Sequence, residues 1–352
     1  MSRRAVAFDL TRLIERTDYL RRPPPFQHPT DGYKEWLHFC VYGADVDVLV
    51  NFSTVEDVRE GARPGDEHAR VTVLVRERGS GWDGDVVLHP REAVTVRGGA
   101  VEMRFGRDHV RFEDGVYHVV AELPRRDIAV RLALRPECLP TVAHNVQLDS
   151  GPPINWLVIP RLRAAGVVSL RGQARVIEHA LGYHDHNWGA FAWGHDFAWE
   201  WGFGLPDRAD NPWRVVFVRL SDRAHAAVYK QAIFLWRGAL PWRVLHSEGV
   251  TVEREGFLRP REVLKIPRAM ALVAPSTATD VPRRLRVRAE DGGDRIECEF
   301  DGEEVAQVIV PNDRDLGVTI INEVSGWLRA RGVVRGEAVA MEGHAIFEFL
   351  GA

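Results

Sequence analysis

The segment Gly182-Tyr183-His184-Asp185-His186-Asn187-Trp188-Gly189 places acids, bases and large aromatic rings side by side. The residues that follow continue the same mixture with Trp193, His195, Asp196, Trp199 and Trp201. Burying such polar side chains costs free energy unless each one finds a hydrogen-bond partner. We therefore take this segment as the leading candidate for a functional site and the other segments as the scaffold that holds it.

If residues 181 to 188 form a strand, their side chains alternate between two faces. One face then carries Tyr183, Asp185 and Asn187, and the other carries His184, His186 and Trp188. With the first face towards the interior of a barrel, apolar surroundings disfavour the charged form of Asp185 and raise its pKa. Such a carboxyl group is a general acid able to protonate a weak base, and the histidines behind it are expected to orient it by hydrogen bonds.

Two other interpretations of the segment remain open. Asp and Asn side chains at a strand end often form hydrogen bonds with the backbone and stabilise a turn. A buried Asp–His pair can also have a purely structural role, in which it links two strands. A metal site is the other possibility, with ligands drawn from His179, His184, His186, His195 and Asp196. A cupin-like site needs a glutamate a few residues after its His-x-His pair, whereas the next one here is Glu200. We therefore expect no metal.

The aromatic residues behind the segment also allow two interpretations. Trp199 and Trp201 share one strand face, and Phe197 and Phe203 belong to the same period-two stripe. Such a stripe is more typical of a packed core. Tryptophan and tyrosine rings that line a cavity would nevertheless suit a polyene or a developing carbocation, because a cation is attracted to the face of an aromatic ring.

Outside this region the dominant hydrophobic period is two, which is typical of antiparallel strands with one buried face. The clearest runs are Val46-Val48-Val50-Phe52, Ile128-Val130-Leu132-Leu134 and Ile296-Cys298-Phe300. Turn signals such as Glu113-Asp114-Gly115 and Asp291-Gly292-Gly293 recur at short intervals. About twenty strands at this spacing predict an all-β protein with two barrels or sandwiches, because one small barrel cannot hold them all. Helical spacing of Leu10, Leu13 and Ile14 adds a short N-terminal helix over residues 8 to 20, ended by Pro23-Pro24-Pro25.

The bulk composition restricts the possible functions. The 352 residues suffice for two domains, and we place the boundary near residue 190, giving domains 1–190 and 191–352. A net charge of -4 without a basic stripe argues against a nucleic-acid partner.

The three cysteines Cys40, Cys138 and Cys298 stand far apart among strand-like residues, so we expect buried, reduced thiols. With no run of eighteen apolar residues we expect no transmembrane segment and a cytoplasmic location. Because the sequence contains no GxxxxGK[ST] or GxSxG motif, we expect no cofactor.

The eight residues 182–189 resemble the signature of the carotenoid 1,2-hydratases, also called hydroxyneurosporene synthases. The wider group includes AttH-like proteins and decalin-forming Diels–Alderases of polyketide pathways. Further pieces of the resemblance are Asn155-Trp156, Ile159-Pro160-Arg161, Trp193-Gly194 and Met341-Glu342-Gly343. The motif itself is specific, while the remaining match, over residues 150 to 350, is one of patterning.

The resemblance implies two tandem lipocalin-like antiparallel β-barrels with a ligand pocket between or within them. It also implies cofactor-independent chemistry on hydrophobic polyenes, isoprenoids or polyketides. Carried over, Asp185 protonates a C=C bond, Tyr183 is its neighbour, and His184 and His186 complete the catalytic group. The substrate-binding residues would be Trp156, Asn187, Trp188, Trp193, Trp199 and Trp201. Some hydratases carry a histidine two residues before the tryptophan, where this chain has Ile154.

Three hypotheses follow. The first is a hydratase, cyclase or isomerase that protonates an apolar unsaturated substrate through Asp185. The second is a Diels–Alderase-type pericyclase, in which shape and preorganised hydrogen bonds accelerate the reaction without proton transfer. The third is a lipocalin-like carrier of an apolar ligand. The sequence leaves the substrate and the oligomeric state open.

Overall fold

The computed structural model describes residues 9–21, 32–55, 69–146, 153–259, 263–273 and 281–351. These residues form two large sheets, each curled into a barrel-like domain, and a short N-terminal helix, α1 (Leu10–Thr17). Among the described residues, all strand pairs are antiparallel except one, in which β18 runs parallel to β20. The predicted all-β class with two barrels and an N-terminal helix is thus confirmed. The proline run expected to end the helix lies outside the described residues.

The first sheet contains β1 (Tyr33–Tyr42), β2 (Val46–Val55), β3 (Ala69–Glu77), β4 (Asp83–His89), β5 (Val94–Val96), β6 (Glu102–Phe105), β7 (Asp108–Glu113), β8 (Val116–Leu123), β9 (Ile128–Pro136), β10 (Thr141–Val146), β11 (Ile154–Leu170) and β12 (Gln173–Ala190). Its strand order is β4-β3-β2-β1-β12-β11-β9-β8-β7-β6-β5, with β10 beside β11. The sheet curls until β3 and β4 contact β8.

The second sheet contains β13 (Ala198–Pro206), β14 (Trp213–Ser221), β15 (Val228–Arg237), β16 (Leu240–His246), β17 (Val250–Phe257), β18 (Val263–Ile266), β19 (Pro282–Asp291), β20 (Asp294–Pro311), β21 (Val318–Val334) and β22 (Glu337–Gly351). Its order is β16-β15-β14-β13-β22-β21-β20-β19-β17, and β16 contacts β19. A single helical turn, α2 (Met270–Val273), follows β18. The chain changes sheet between Ala190 and Ala198, which is where the proposed domain boundary lies.

Tight turns set the register of the strands that carry the site. The residues Arg171-Gly172 join β11 to β12, and Arg335-Gly336 join β21 to β22. Both residues of each pair have positive φ, between 51° and 76°. That conformation is typical of two-residue type I′ hairpins, whose twist matches the twist of the strands. The predicted turn at Asp114-Gly115 has the same geometry, with φ of 51° and 76°.

Burial differs between the outer strands and the strands where the two sheets meet. In β9, buried residues alternate with more exposed ones, as the sequence predicts for a strand with one buried face. In β1 and in the second half of β12 nearly every residue is buried. These strands pack against the core of their own barrel on one face and against the second barrel on the other. Their side chains therefore alternate between two buried environments.

The predicted state of the cysteines is confirmed, because Cys40, Cys138 and Cys298 are all buried and free. No helix in the described part of the chain is long and apolar enough to cross a membrane.

Candidate active site

The two faces of β12 look into different parts of the molecule. The ring of Tyr183 stacks on Phe203 of the second sheet, with centroids 3.8 Å apart. The ring of His184 instead stacks on Phe39 inside the first barrel, with centroids 4.2 Å apart. The predicted alternation is confirmed, and of the two places that the resemblance implies for the pocket, between or within the barrels, Asp185 occupies the first. Its face does not line the interior of a barrel, because that interior is filled by the histidine face, and Asp185 lies between the two barrels.

A cavity with two adjoining lobes occupies this junction. The volume open to a water-sized molecule is about 70 Å³ in the first lobe and about 40 Å³ in the second. Trp36, Trp199 and Glu348 line both lobes, so the two spaces meet at these side chains. Apolar and aromatic residues dominate the second lobe, which is also lined by Asp185.

Asp185 is a carboxyl group almost removed from solvent, with 4% of its surface exposed. Burial raises its pKa well above the ordinary value, and the negative charge of Glu348 raises it further. The hydrogen bond that Asn187 Nδ2 donates to Asp185 Oδ1 and the nearby hydroxyl of Tyr183 act in the opposite direction but do not reverse the shift in pKa. The direction of this shift favours the protonated carboxyl group, as the sequence analysis predicted for an apolar site.

Two further carboxyl groups lie across the cavity, on the second sheet. Glu348 of β22 and Glu323 of β21 are paired neighbours in the register, and oxygen atoms of their two carboxyl groups lie within 4.8 Å of each other. Burial raises the pKa of both carboxyl groups, and that of Glu323 is raised further by the charge of Glu348. The indole Nε1 of Trp199 donates to Glu348 Oε2 at 2.9 Å.

On the opposite face, the two histidines of the motif hold the N-terminal segment in place. His186 donates through Nδ1 to Asp18 at 2.6 Å and through Nε2 to Glu35 at 2.8 Å. His184 Nε2 lies 3.0 Å from the other oxygen of Asp18. Asp18, the residue that caps the C-terminus of α1, also accepts from the hydroxyl of Tyr117. The expectation that the histidines orient Asp185 is wrong, since their ring nitrogens face away from it.

These buried residues, Asp18, Glu35, His184 and His186, form a network in which each charge is stabilised by a partner of opposite charge. Burial alone would lower the pKa of His186, but its bonds to Asp18 and Glu35 raise the pKa to about 9. Burial alone would raise the pKa of Asp18, but His184 and His186 bring it well below its ordinary range. An imidazolium thus sits between two carboxylates in a buried site.

The network makes stability depend on pH in a defined direction. Because folding raises the pKa of His186 from 6.5 to about 9, its contribution is fully present below about pH 6.5. That contribution, on the order of 3 kcal/mol, is lost as the pH rises through the folded value. Urea unfolding at about pH 6 and about pH 10 should show this loss in the wild type and a much smaller one in His186→Gln. His109→Gln changes a histidine outside the network and should lose as much unfolding free energy between the two pH values as the wild type. An equally large loss in His186→Gln would contradict the assignment.

The predicted substrate-binding residues divide between the lobes. Trp193 lines the first lobe, Trp199 lines both, and the second lobe is lined by Trp156, Asn187 and Trp201. Trp188 lines neither lobe, because it lies on the histidine face. Its ring is covered there by the guanidinium of Arg21, 4.3 Å from the centroid. The expectation that Trp188 contacts the substrate is therefore wrong for this cavity.

The ligands considered for a metal site do not converge. His184 and His186 are bound to carboxylates of the network, and His195 pairs with Asp315 at 3.2 Å. Within the described ranges, a different set of three side chains lies close enough together to hold a cation. Its members His38, Glu323 and Glu348 offer atoms that all lie within 4.8 Å of one another.

Sequence reasoning missed Trp36, His38, Glu323 and Glu348. Burial and the charge of His184 lower the pKa of His38 to about 3, so this histidine is neutral beside Asp185, its partner in the strand register. One signal was present in the sequence. Glu348 interrupts the apolar run Ala345-Ile346-Phe347-Glu348-Phe349-Leu350, a position where an ionisable residue is unusual unless it serves a site.

No protein-family model matches the chain, and no curated protein matches it in sequence. Its fold is similar to that of an AttH-type protein from Nitrosomonas europaea, with a TM-score of 0.61, 12% identity and coverage of 94% and 97% of the two chains. The structure of CghA with Sch210972 is similar over 92% of this chain and 89% of that one, with a TM-score of 0.62 and 13% identity. The fold is also similar to that of kievitone hydratase from Nectria haematococca, with a TM-score of 0.56 and 10% identity. That similarity covers 90% of this chain and 89% of the hydratase. The chain thus has the fold shared by these proteins.

Proposed function

We propose that the protein is an enzyme of the hydratase or cyclase kind, in which Asp185 protonates a C=C bond of an apolar small molecule. The observation that carries the proposal is the position of this carboxyl group. It lines an aromatic cavity, is 4% exposed, and is held in its acidic form by burial and by the charge of Glu348. A weakly basic alkene requires a proton donor that stays protonated at neutral pH until the substrate arrives.

The walls of the second lobe support the same chemistry. Trp156, Trp199 and Trp201 present large rings to the space beside Asp185. Protonation of an alkene leaves a carbocation, which aromatic faces attract and which a dry cavity protects from unselective capture. Val218 and Leu220 complete the wall with apolar surface suited to a hydrocarbon chain.

The fold comparisons point in the same general direction. A hydratase is among the similar structures, and CghA was crystallised with a small molecule. The resemblance of residues 182–189 to carotenoid 1,2-hydratases adds a residue-level link, because it places Asp185 at the position of the acid. Together these observations support a lyase-type or cyclase-type reaction on an apolar small-molecule substrate.

Deuterium incorporation tests the proposal. The protein is incubated in D2O with farnesol, with geranylgeraniol and with any small molecule recovered from the purified protein. The two alcohols carry trisubstituted double bonds, whose protonation gives tertiary cations. We expect at least one compound to gain a deuterium on carbon, read by mass spectrometry. Conversion without deuterium, or no conversion of any of them, would contradict proton transfer to carbon.

A pericyclase is the second candidate, and the likeness to CghA together with the resemblance to decalin-forming Diels–Alderases favours it. In that case the carboxyl of Asp185 and the indole of Trp199 would act as hydrogen-bond donors that polarise the substrate. A pericyclic reaction transfers no proton from solvent to carbon, so its product in D2O would carry no deuterium. The same experiment therefore separates the two candidates.

A further inference from the structure

Glu348 stands where the two lobes of the cavity meet. It lies on β22, opposite Trp201 in the strand register, and lines both lobes. Asp185 lines the second lobe from the first barrel, so the two carboxyl groups approach the same space from different sheets. A substrate in the second lobe would thus contact one carboxyl group from each barrel.

The environment of Glu348 differs from that of Asp185 in its hydrogen-bond donors. The oxygen Oε2 of Glu348 accepts from the indole N–H of Trp199 at 2.9 Å, and Glu323 is the neighbour of Glu348 in the strand register. An N–H donor stabilises the ionised form of a carboxyl group. Glu323 has no comparable support, since its Oε2 lacks a partner among the described residues although the side chain is 5% exposed. Of the two neighbouring carboxyl groups, Glu348 is therefore the one whose ionised form has the better hydrogen-bond support.

We infer that Glu348 is a second catalytic residue, the general base that takes a proton from water as the water adds to the carbocation. The inference rests on the proposed role of Asp185 and makes the reaction a hydration. Two carboxyl groups in different protonation states can divide acid and base roles in one cavity.

The steps balance without any further reactant. Asp185 gives its proton to one alkene carbon, and the other carbon becomes a cation. The oxygen of water bonds to that carbon and loses a proton to Glu348, which leaves an alcohol. Asp185 is then ionised and Glu348 is protonated, and transfer of that proton to Asp185 through water restores the starting state. The net change is addition of one water across the double bond.

Infrared spectroscopy tests the assignment of protons without a substrate. At about pH 7 the C=O stretch of protonated carboxyl groups reports only those side chains whose pKa is strongly raised. With EDTA present to keep cations from His38, Glu323 and Glu348, Asp185→Asn and Glu323→Gln should each remove intensity from this band. Glu348→Gln should remove none, and neither should Glu342→Gln, which changes an exposed glutamate on the same strand. Loss of the band in Glu348→Gln would overturn the assignment.

Turnover in D2O separates a failure of this inference from a failure of the proposed function. With the compound that the wild type converts, Glu348→Gln should still exchange deuterium onto carbon while water addition falls at least about a hundredfold. Water addition at the wild-type rate would overturn the inference alone, as would a deuterated product without added oxygen from the wild type. Absence of deuterium in the wild type would instead overturn the role of Asp185.

Discussion

Asp185→Asn is expected to stop turnover while the protein still folds and binds its ligand. A positioned general acid contributes about 10²- to 10⁴-fold to a rate, and an amide cannot take its place as a proton donor. The rate should therefore fall at least about a hundredfold. Since burial favours the neutral form of the wild-type carboxyl group, a neutral amide of almost the same shape should disturb the cavity little.

The measurement combines product formation with urea unfolding and with binding of the converted compound. We expect the free energy of unfolding to change by less than about 1 kcal/mol and the affinity to stay within a few fold. Asp127→Asn is the matched control, because this exposed aspartate makes the same chemical change far from the cavity. Full turnover in Asp185→Asn would contradict the role of Asp185 as a proton donor and would favour the pericyclase.

Asp18→Ala is expected to be the most destabilising of the substitutions considered. It removes the acceptor shared by His184, His186 and Tyr117, all of which are fully buried. Breaking a buried charge pair from one side costs about 3 to 5 kcal/mol, because the remaining groups stay buried without their partner. The loss should appear as a lower urea midpoint with an unchanged slope.

Asp9→Ala is a matched control at the other end of the same helix. The side chain of Asp9 caps the N-terminus of α1 by accepting from the backbone N–H of Arg12 at 3.1 Å, and that contact is exposed. Loss of such a cap costs about 1 kcal/mol. An equal loss of stability in the two variants would mean that the network around Asp18 adds nothing beyond ordinary capping.

Much of the fold could be predicted from the sequence because strand alternation and turn chemistry are local. The run from Ile128 to Leu134 shows its buried face directly, and Asp114-Gly115 specify their turn through the positive φ that they adopt readily. The helix was also visible, since Leu10, Leu13 and Ile14 repeat at helical spacing.

The composition of the site could be predicted only in part. The segment 182–189 showed which side chains share a face, and therefore that Asp185 and Asn187 look one way and the histidines the other. It could not show what each face meets. Strands that are buried on both sides lose the polar and apolar contrast that normally marks the core side. The structure assigns the histidine face to the barrel core and the aspartate face to the junction.

The partners of the motif come from distant parts of the chain. Asp18 and Glu35 reach the histidines from the N-terminal segment, and Glu348 reaches the cavity from the last strand. Each is one acidic residue among many in the sequence. Their roles arise from the packing of one barrel against the other, which no local pattern encodes.

The sequence by itself determined the strands, the tight turns and the two-sided arrangement of residues 182–189, because each depends on neighbours within a few positions. Only the tertiary structure decided that Asp185 faces a cavity between the barrels and that Glu348 stands across from it. Burial and the charge of a second carboxyl group set the protonation of Asp185, and both depend on which surfaces meet when the two sheets pack together.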